Sequence, residues 1–220
     1  LARRSGAPVY VGRDRAAAGQ ALLAAHPECD VIVSDDGLQH YRLQRSVELA
    51  VFDGRGTGNG WLLPAGPLRE PLPRLAGVTA VVWNGRPERS PLGAAGDLPQ
   101  FDMQLIGQRF VACSGESRSC DADSLRGRPL HAIAGIGDPS RFFRQLRDLG
   151  LAFEAHPFPD HHPYDTADLA FADNAVLLMT EKDAVKCAAI ASGEAWVLPV
   201  EAGIGTPPGR AALFETILEK

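Results

Sequence analysis

Asp35 and Asp36 stand directly after the apolar run Val31-Ile32-Val33 and open the tract Asp35-Asp36-Gly37-Leu38-Gln39-His40. Paired carboxylates at the carboxyl end of a parallel strand lie where open α/β sheets gather ligands, and their hard oxygen donors suit a divalent cation. Aspartates also cap turns. The adjacent pair, with Gln39 and His40 close behind, favours the metal over the cap. A second dense tract, Gly58-Asn59-Gly60-Trp61-Leu62-Leu63-Pro64-Ala65-Gly66-Pro67-Leu68-Arg69-Glu70-Pro71, follows another β-like run at 47–52. Arg69 and Glu70 lie there between prolines. Either they form a salt bridge that holds a loop, or Glu70 reaches the metal while the Arg69 guanidinium meets phosphate oxygens. The glycines Gly54, Gly56, Gly58 and Gly60 allow close backbone approach to a ligand, yet do not form a dinucleotide-binding fingerprint.

Three further tracts carry chemistry. In Phe158-Pro159-Asp160-His161-His162-Pro163-Tyr164 an aspartate precedes two histidines, whose imidazoles titrate near neutrality and can pass a proton. Adjacent side chains on an extended segment point oppositely, which disfavours one metal on both histidines and leaves one of them as the candidate. In Thr180-Glu181-Lys182-Asp183 the spacing of Thr180 and Asp183 is that of a helix capping box, while Lys182 is left over as a cation for nucleotide phosphate. Gly135-Ile136-Gly137-Asp138-Pro139 reads as a glycine turn before a helix, either a tight turn or an anion site.

These residues need a scaffold, and the pattern supplies an α/β one. Strands are expected at 8–11, 31–33, 47–52 and 79–83, with an alanine-rich helix at 13–25. Alternating strands and helices imply a parallel sheet covered on both faces. Residues 85–96 have loop composition. The alternating segments 102–106 and 109–113, separated by Gly107-Gln108, read as a hairpin linking two lobes. A second alternation follows, with strands at 130–134, 152–155, 175–179 and 195–199 and helices at 139–149, 166–172, 182–190 and 208–218. The expected organisation is therefore one lobe over 1–100, a hairpin linker over 101–129 and a second α/β lobe over 130–220.

With 220 residues, 45% of them hydrophobic, the chain can bury a substantial core. A net charge of −5 argues against a general nucleic-acid binder, and the longest apolar runs fall far short of a membrane span. Cys29, Cys113, Cys120 and Cys187 are widely spread without a C-x-x-C pair, as expected of reduced, structural thiols rather than a zinc site. The chain opens at Leu1 inside what reads as a continuing element, so further sequence is expected upstream.

Together the tracts at 35–40, 58–71, 135–143, 158–161 and 180–187 resemble, in order, the tetraacyldisaccharide 4′-kinase family of lipid A biosynthesis. The resemblance implies a P-loop NTPase-like kinase of two α/β/α lobes joined by a β-ribbon. Such a kinase transfers the ATP γ-phosphoryl to the 4′-hydroxyl of a tetraacyldisaccharide 1-phosphate, at the cytoplasmic face of the bacterial inner membrane. It also implies roles: Asp35 and Asp36 as Walker-B-type carboxylates on Mg²⁺, Glu70 as a further Mg²⁺ ligand and Arg69 as its neighbour in the cleft; with the readings of the residues above, Asp36, Arg69 and Lys182 are the expected nucleotide-binding residues. His161 would assist removal of the hydroxyl proton, oriented by Asp160. The chain departs from the family pattern in having no G-x-x-x-x-G-K-[ST] and in placing Thr57 where an aromatic residue is expected. In the family the P-loop, the catalytic aspartate and the segment for peripheral membrane attachment lie upstream, so this chain alone is expected to be inactive. Two other readings are a metal-dependent hydrolase using Asp35, Asp36, His40, Asp160 and His161, and a binding remnant without catalysis.

Overall fold

Ala80, Val81, Val82 and Trp83 are all buried, as a strand covered on both faces requires. They form β2 (Ala80–Asn84), which lies between β1 (Leu49–Asp53) and β3 (Gln100–Ile106) in a sheet completed by β10 (Glu201–Ile204), in the order β1-β2-β3-β10. Both neighbours of β2 run parallel to it, with Val82 opposite Val51 on one side and Phe101 on the other. In this computed structural model, residues 2–85, 98–114, 118–172, 175–205 and 210–219 are described.

Side chains alternate across β2, and each face has its own core. Ala80 packs with Phe101 and with Leu213 of the C-terminal helix α5 (Arg210–Leu218). Val81 and Trp83 pack on the other side with Ala50, Leu75, Val78 and the half-buried Leu38. Burying one such side chain contributes about 1.5–3 kcal/mol. Leu38 thereby moors the 35–40 tract to the sheet. Helix α1 (Ala2–Ser5) is a single turn, and α2 (Arg15–Ala25) is capped by Asp14, whose carboxylate accepts from the N–H groups of Ala16 and Ala17 at 3.1 Å each.

A second sheet has the order β5-β4-β9-β8-β6-β7. Its strands are β4 (Arg109–Ala112), β5 (Ser119–Asp121), β6 (Leu130–Ala134), β7 (Glu154–Pro157), β8 (Val176–Thr180) and β9 (Ala195–Leu198). Strands β7, β6, β8 and β9 run parallel, and β4 pairs antiparallel with β9 and with β5. Leu130, Ala132, Ala134, Val176 and Leu178 face Phe142, Phe143 and Leu146 of α3 (Pro139–Asp148). Ile133, Leu177 and Met179 face Cys187 of α4 (Glu181–Cys187) and Leu169 of a 3-10 turn, Ala167–Ala172. This is the three-layer arrangement expected.

The chain divides into two compact units, Leu1–Gln104 with Ile204–Lys220, and Leu105–Gly203. The return of residues 204–220 to the first unit differs from the expected second lobe over 130–220. The hairpin needs a larger correction. Strand β3 belongs to the first sheet and β4 to the second, so 102–106 and 109–113 do not pair with each other. The chain passes between units within β3 and within β10, and these two are neighbours in one sheet. In the first sheet the strand beside β3, other than β2, is β10 and not β4. Gly107 serves packing: a Cβ there would lie 2.8 Å from the Pro199 carbonyl and 3.0 Å from Leu198.

Residues 8–11 and 31–33 are not strands either. Val31 and Val33 are 76% and 89% exposed, and Val11 is 88% exposed. A β-branched run supplies propensity, but the ladder needs a neighbour, and among the described residues none pairs with these segments. Asp35 and Asp36 therefore sit in a turn rather than at the end of a sheet strand. The loop expected at 85–96 lies, apart from Gly85, outside the described residues.

In the second unit Arg128, just before β6, donates to both carboxylate oxygens of Glu194, just before β9, and Trp196 Nε1 adds a bond of 2.7 Å. The Arg128 guanidinium and then the Trp196 indole hold Glu194 down at about 2, below its ordinary 4.5. A depressed carboxylate stabilises the folded state above its unfolded value and loses that contribution as pH falls through the folded one. Both partners are more than a third exposed, so solvent limits the pair to under about 1 kcal/mol. Urea denaturation is expected to show wild type ahead of Glu194→Gln by that margin at neutral pH. The two curves should converge as pH falls from 4.5 towards 2.

Candidate functional site

In the first unit the loop chemistry converges on Gln39. Its Nε2 donates to Glu70 Oε2 at 2.9 Å, and its Oε1 lies 3.5 Å from Arg69 Nη1. Arg69 Nη1 also donates to Asp36 Oδ2 at 3.0 Å. Asp36, Arg69, Gln39 and Glu70 thus form one chain of hydrogen bonds, joining segments thirty residues apart. Asp35 is exposed, with no side-chain partner among the described residues.

The backbone around this group is tightly specified. Asp36 has φ +51°, a left-handed conformation that Asp and Asn tolerate better than other side chains. A Cβ on the buried Gly37 would meet Ser34 Oγ at 2.6 Å, so the turn closes only on glycine. Arg45 donates to the Gly37 and His40 carbonyls at 2.7 and 3.2 Å. Arg45 and Arg74 each reach Glu48 at 2.6 Å, flanking Tyr41 with guanidinium carbons 5.8 and 5.9 Å from its ring centroid. An open pocket of about 470 Å³ adjoins the group, lined by residues that include Arg13, Arg15, Gln39 and His40. Thr57 is buried in the glycine loop.

In the second unit strand order reverses around β6: the chain goes from β6 to β7 on one side and then to β8 on the other. The carboxyl ends at such a switch point form a crevice. Beneath it Asp183 is fully buried. Asp183 accepts from Gly135 N–H at 3.2 Å, Tyr164 Oη at 3.1 Å and Thr180 Oγ1 at 2.6 Å. Its own N–H donates to Thr180 Oγ1 at 3.2 Å, which caps α4. A Cβ on Gly135 would lie 2.6 Å from Tyr164 Oη, so this glycine lets the network close. Burial, and then the Asp183 charge, push the Tyr164 hydroxyl far above its ordinary value, which keeps it a donor. Burial likewise pushes the Cys187 thiol up to about 12, and the four cysteines are free.

Above that network Lys182 Nζ donates to Asp160 Oδ1 at 2.6 Å, and this bond holds the Asp160 carboxyl below its ordinary value. The same oxygen accepts from the backbone N–H of His161 at 3.0 Å, and Asp160 Oδ2 lies 3.7 Å from His161 Nε2. His161 has φ +62°, and its side chain is 77% exposed. His162 is engaged otherwise. Its Nε2 lies 2.7 Å from Asp168 Oδ2, its carbonyl accepts from Lys186, and its ring packs on Phe158 and Tyr164. Of the two adjacent histidines, His161 alone faces solvent with a carboxylate beside it.

The residues named from sequence therefore fall into two groups: Asp35, Asp36, Arg69 and Glu70 in the first unit, and Asp160, His161 and Lys182 in the second. Sequence reasoning missed Gln39 as the bridge between Arg69 and Glu70, and Asp183 as more than a cap. A capping residue with no apolar alternative at a central strand end was the available signal for Asp183.

A sequence model of the tetraacyldisaccharide-1-P 4′-kinase family, LpxK, matches residues 1–219. The tetraacyldisaccharide 4′-kinase of Dechloromonas aromatica is 58% identical over the whole chain, which covers 64% of that protein. The enzymes of the same name from Azoarcus sp. and Methylobacillus flagellatus are 55% and 50% identical, again over the whole chain and 62% of theirs. The chain thus spans under two thirds of the length of these relatives. A crystal structure of LpxK from Aquifex aeolicus in complex with ATP superposes with a TM-score of 0.70 at 25% identity, over 95% of this chain and 63% of that one. The α/β expectation holds, with the fold that of LpxK. A match from residue 1 to residue 219, together with relatives more than half identical across the whole chain, establishes that it belongs to the tetraacyldisaccharide-1-P 4′-kinase family.

Proposed function

We propose that the protein transfers the γ-phosphoryl of ATP to the 4′-hydroxyl of a tetraacyldisaccharide 1-phosphate, at the cytoplasmic face of the inner membrane. The observation that carries this reading is the match of residues 1–219 to a family of kinases for that substrate. The ATP held by the Aquifex aeolicus relative supports the phosphoryl donor.

Mg²⁺ fits the first unit's donor set, because Asp35, Asp36 and Glu70 offer carboxylate oxygens only and Asp35 is open to solvent. One or two protein carboxylates suffice for this ion, since water and phosphate complete its shell. When bound it would neutralise charge on the phosphate oxygens. Arg69 keeps guanidinium N–H groups beyond its bond to Asp36, and these suit phosphate. Arg13 and Arg15 line the adjoining pocket and add positive charge for an anionic ligand.

In the second unit Lys182 keeps Asp160 ionised, and Asp160 in turn holds the His161 backbone. With Nε2 nearer Asp160, Nδ1 is the ring nitrogen left to help remove the hydroxyl proton. No helix among the described residues is long and apolar enough to cross a membrane. Trp61, Leu62 and Leu63 are exposed, and such side chains rest well at a lipid interface, which supports peripheral attachment. The hydrolase reading lacks a comparable support, because the family matched over residues 1–219 is one of kinases.

The test is transfer of label from γ-labelled ATP to tetraacyldisaccharide 1-phosphate, with the full product of the reading frame that encodes this chain. Labelled lipid is expected, and His161→Ala should lower the rate about a hundredfold, the scale of general-base assistance. No labelled lipid from a folded, Mg²⁺-supplied protein would overturn the reading.

A further inference from the structure

Away from the crevice, on one face of the second sheet, two histidines and a glutamate meet. His131 is on β6, and Glu154 and His156 are on the edge strand β7. The parallel register sets His131 opposite Glu154 and Ile133 opposite His156. Paired residues share a face and so do residues two apart, which brings all three side chains to the same side. His131 Nδ1 lies 2.9 Å from His156 Nε2, and each nitrogen lies 3.8 Å from a Glu154 oxygen. One donor atom from each residue falls within 4.8 Å of the others. Phe171 stacks on His156 at 3.8 Å between centroids and 6°, and on His131 at 5.0 Å, so both rings are held in place from above.

We propose that His131, Glu154 and His156 form a binding site for a divalent transition metal of the Zn²⁺ class, tying the edge strand β7 to β6. Two imidazoles and a carboxylate are a donor set for Zn²⁺, Ni²⁺ or Cu²⁺ rather than for Mg²⁺, which takes oxygen. Two nitrogens bound to one tetrahedral Zn²⁺ at about 2.0–2.1 Å stand roughly 3.3 Å apart, so the two rings need to part by only about half an ångström. Glu154 is 69% exposed, so an ion can enter from solvent and a water can complete the shell. The inference is independent of the kinase reading. The edge strand it would fasten leads directly into Phe158 and Asp160.

The test is calorimetric titration of the chelator-treated chain with Zn²⁺, alongside His156→Gln and Glu154→Gln, with folding checked by circular dichroism. Glu154 is exposed, so its variant is expected to fold even if the His156 variant does not. One equivalent is expected to bind to wild type, at least about a hundredfold more weakly to either variant, since even outer partners of metal ligands cost 10–100-fold. Substitution with Co²⁺ should give d–d bands without thiolate charge transfer. Absence of one-equivalent binding, binding unchanged in folded Glu154→Gln, or a thiolate band would each overturn the site.

Discussion

Replacing Asp183 with alanine is expected to destabilise the chain by about 3–5 kcal/mol, the scale of removing one buried partner from a polar network. Its carboxylate is fully buried and serves three donors that come from three places: Gly135 after β6, Tyr164 beyond β7 and Thr180 at the end of β8. Alanine would leave the Gly135 N–H and the Tyr164 and Thr180 hydroxyls without the acceptor they share. Tyr164→Phe removes one donor and leaves the other two on Asp183, so about 1 kcal/mol is expected for it. Urea denaturation of the three proteins at neutral pH measures both. A loss below about 1 kcal/mol for Asp183→Ala would mean that water replaces the carboxylate, and that the crevice floor does not depend on it. The larger loss would identify Asp183 as the post on which the loops carrying Asp160, His161 and Lys182 are set.

That post was half legible in the sequence. The spacing of Thr180 and Asp183 announced a cap, and the cap is there, but helix-start spacing says nothing of Gly135 or Tyr164, which reach Asp183 from other elements. The second unit's strands were legible because runs such as Val176-Leu177-Leu178-Met179 are buried on both faces and have little else to become. Residues 31–33 carry the same signal and pair with no strand among the described residues, because composition records a taste for extended backbone and not the presence of a neighbour. The supposed hairpin failed for a related reason. Alternation at 102–106 and 109–113 specified two strands correctly, while their partners, β2 and β10 for one and β5 and β9 for the other, are fixed by packing far along the chain. The His131, Glu154 and His156 group was beyond reading at all, since its histidines are 25 positions apart and meet only through the parallel register of β6 and β7.

The Asp36 carboxylate can be tested without disturbing the fold, and Asp36→Asn in the full reading-frame product is expected to lower turnover about a thousandfold, the upper range for losing one preorganised electrostatic group. Asparagine is the informative substitution. At φ +51° it is tolerated where alanine would be strained, and it keeps the size and one acceptor oxygen while removing the charge. The bond to Arg69 is between side chains 58% and 70% exposed, so its weakening should change stability by under about 1 kcal/mol. A large fall in turnover with an unchanged melting temperature would therefore report on chemistry. If Asp36 helps hold Mg²⁺, the variant should also need more Mg²⁺ for half-maximal rate, whereas a role confined to orienting Arg69 would leave that requirement unchanged and raise the KM for ATP instead. Arg69→Lys separates the two further, because a lysine keeps the charge but not the guanidinium fork that could hold Asp36 and a phosphate oxygen together. Turnover of Asp36→Asn equal to wild type would remove this aspartate from the mechanism and leave the exposed Asp35 as the carboxylate to test next.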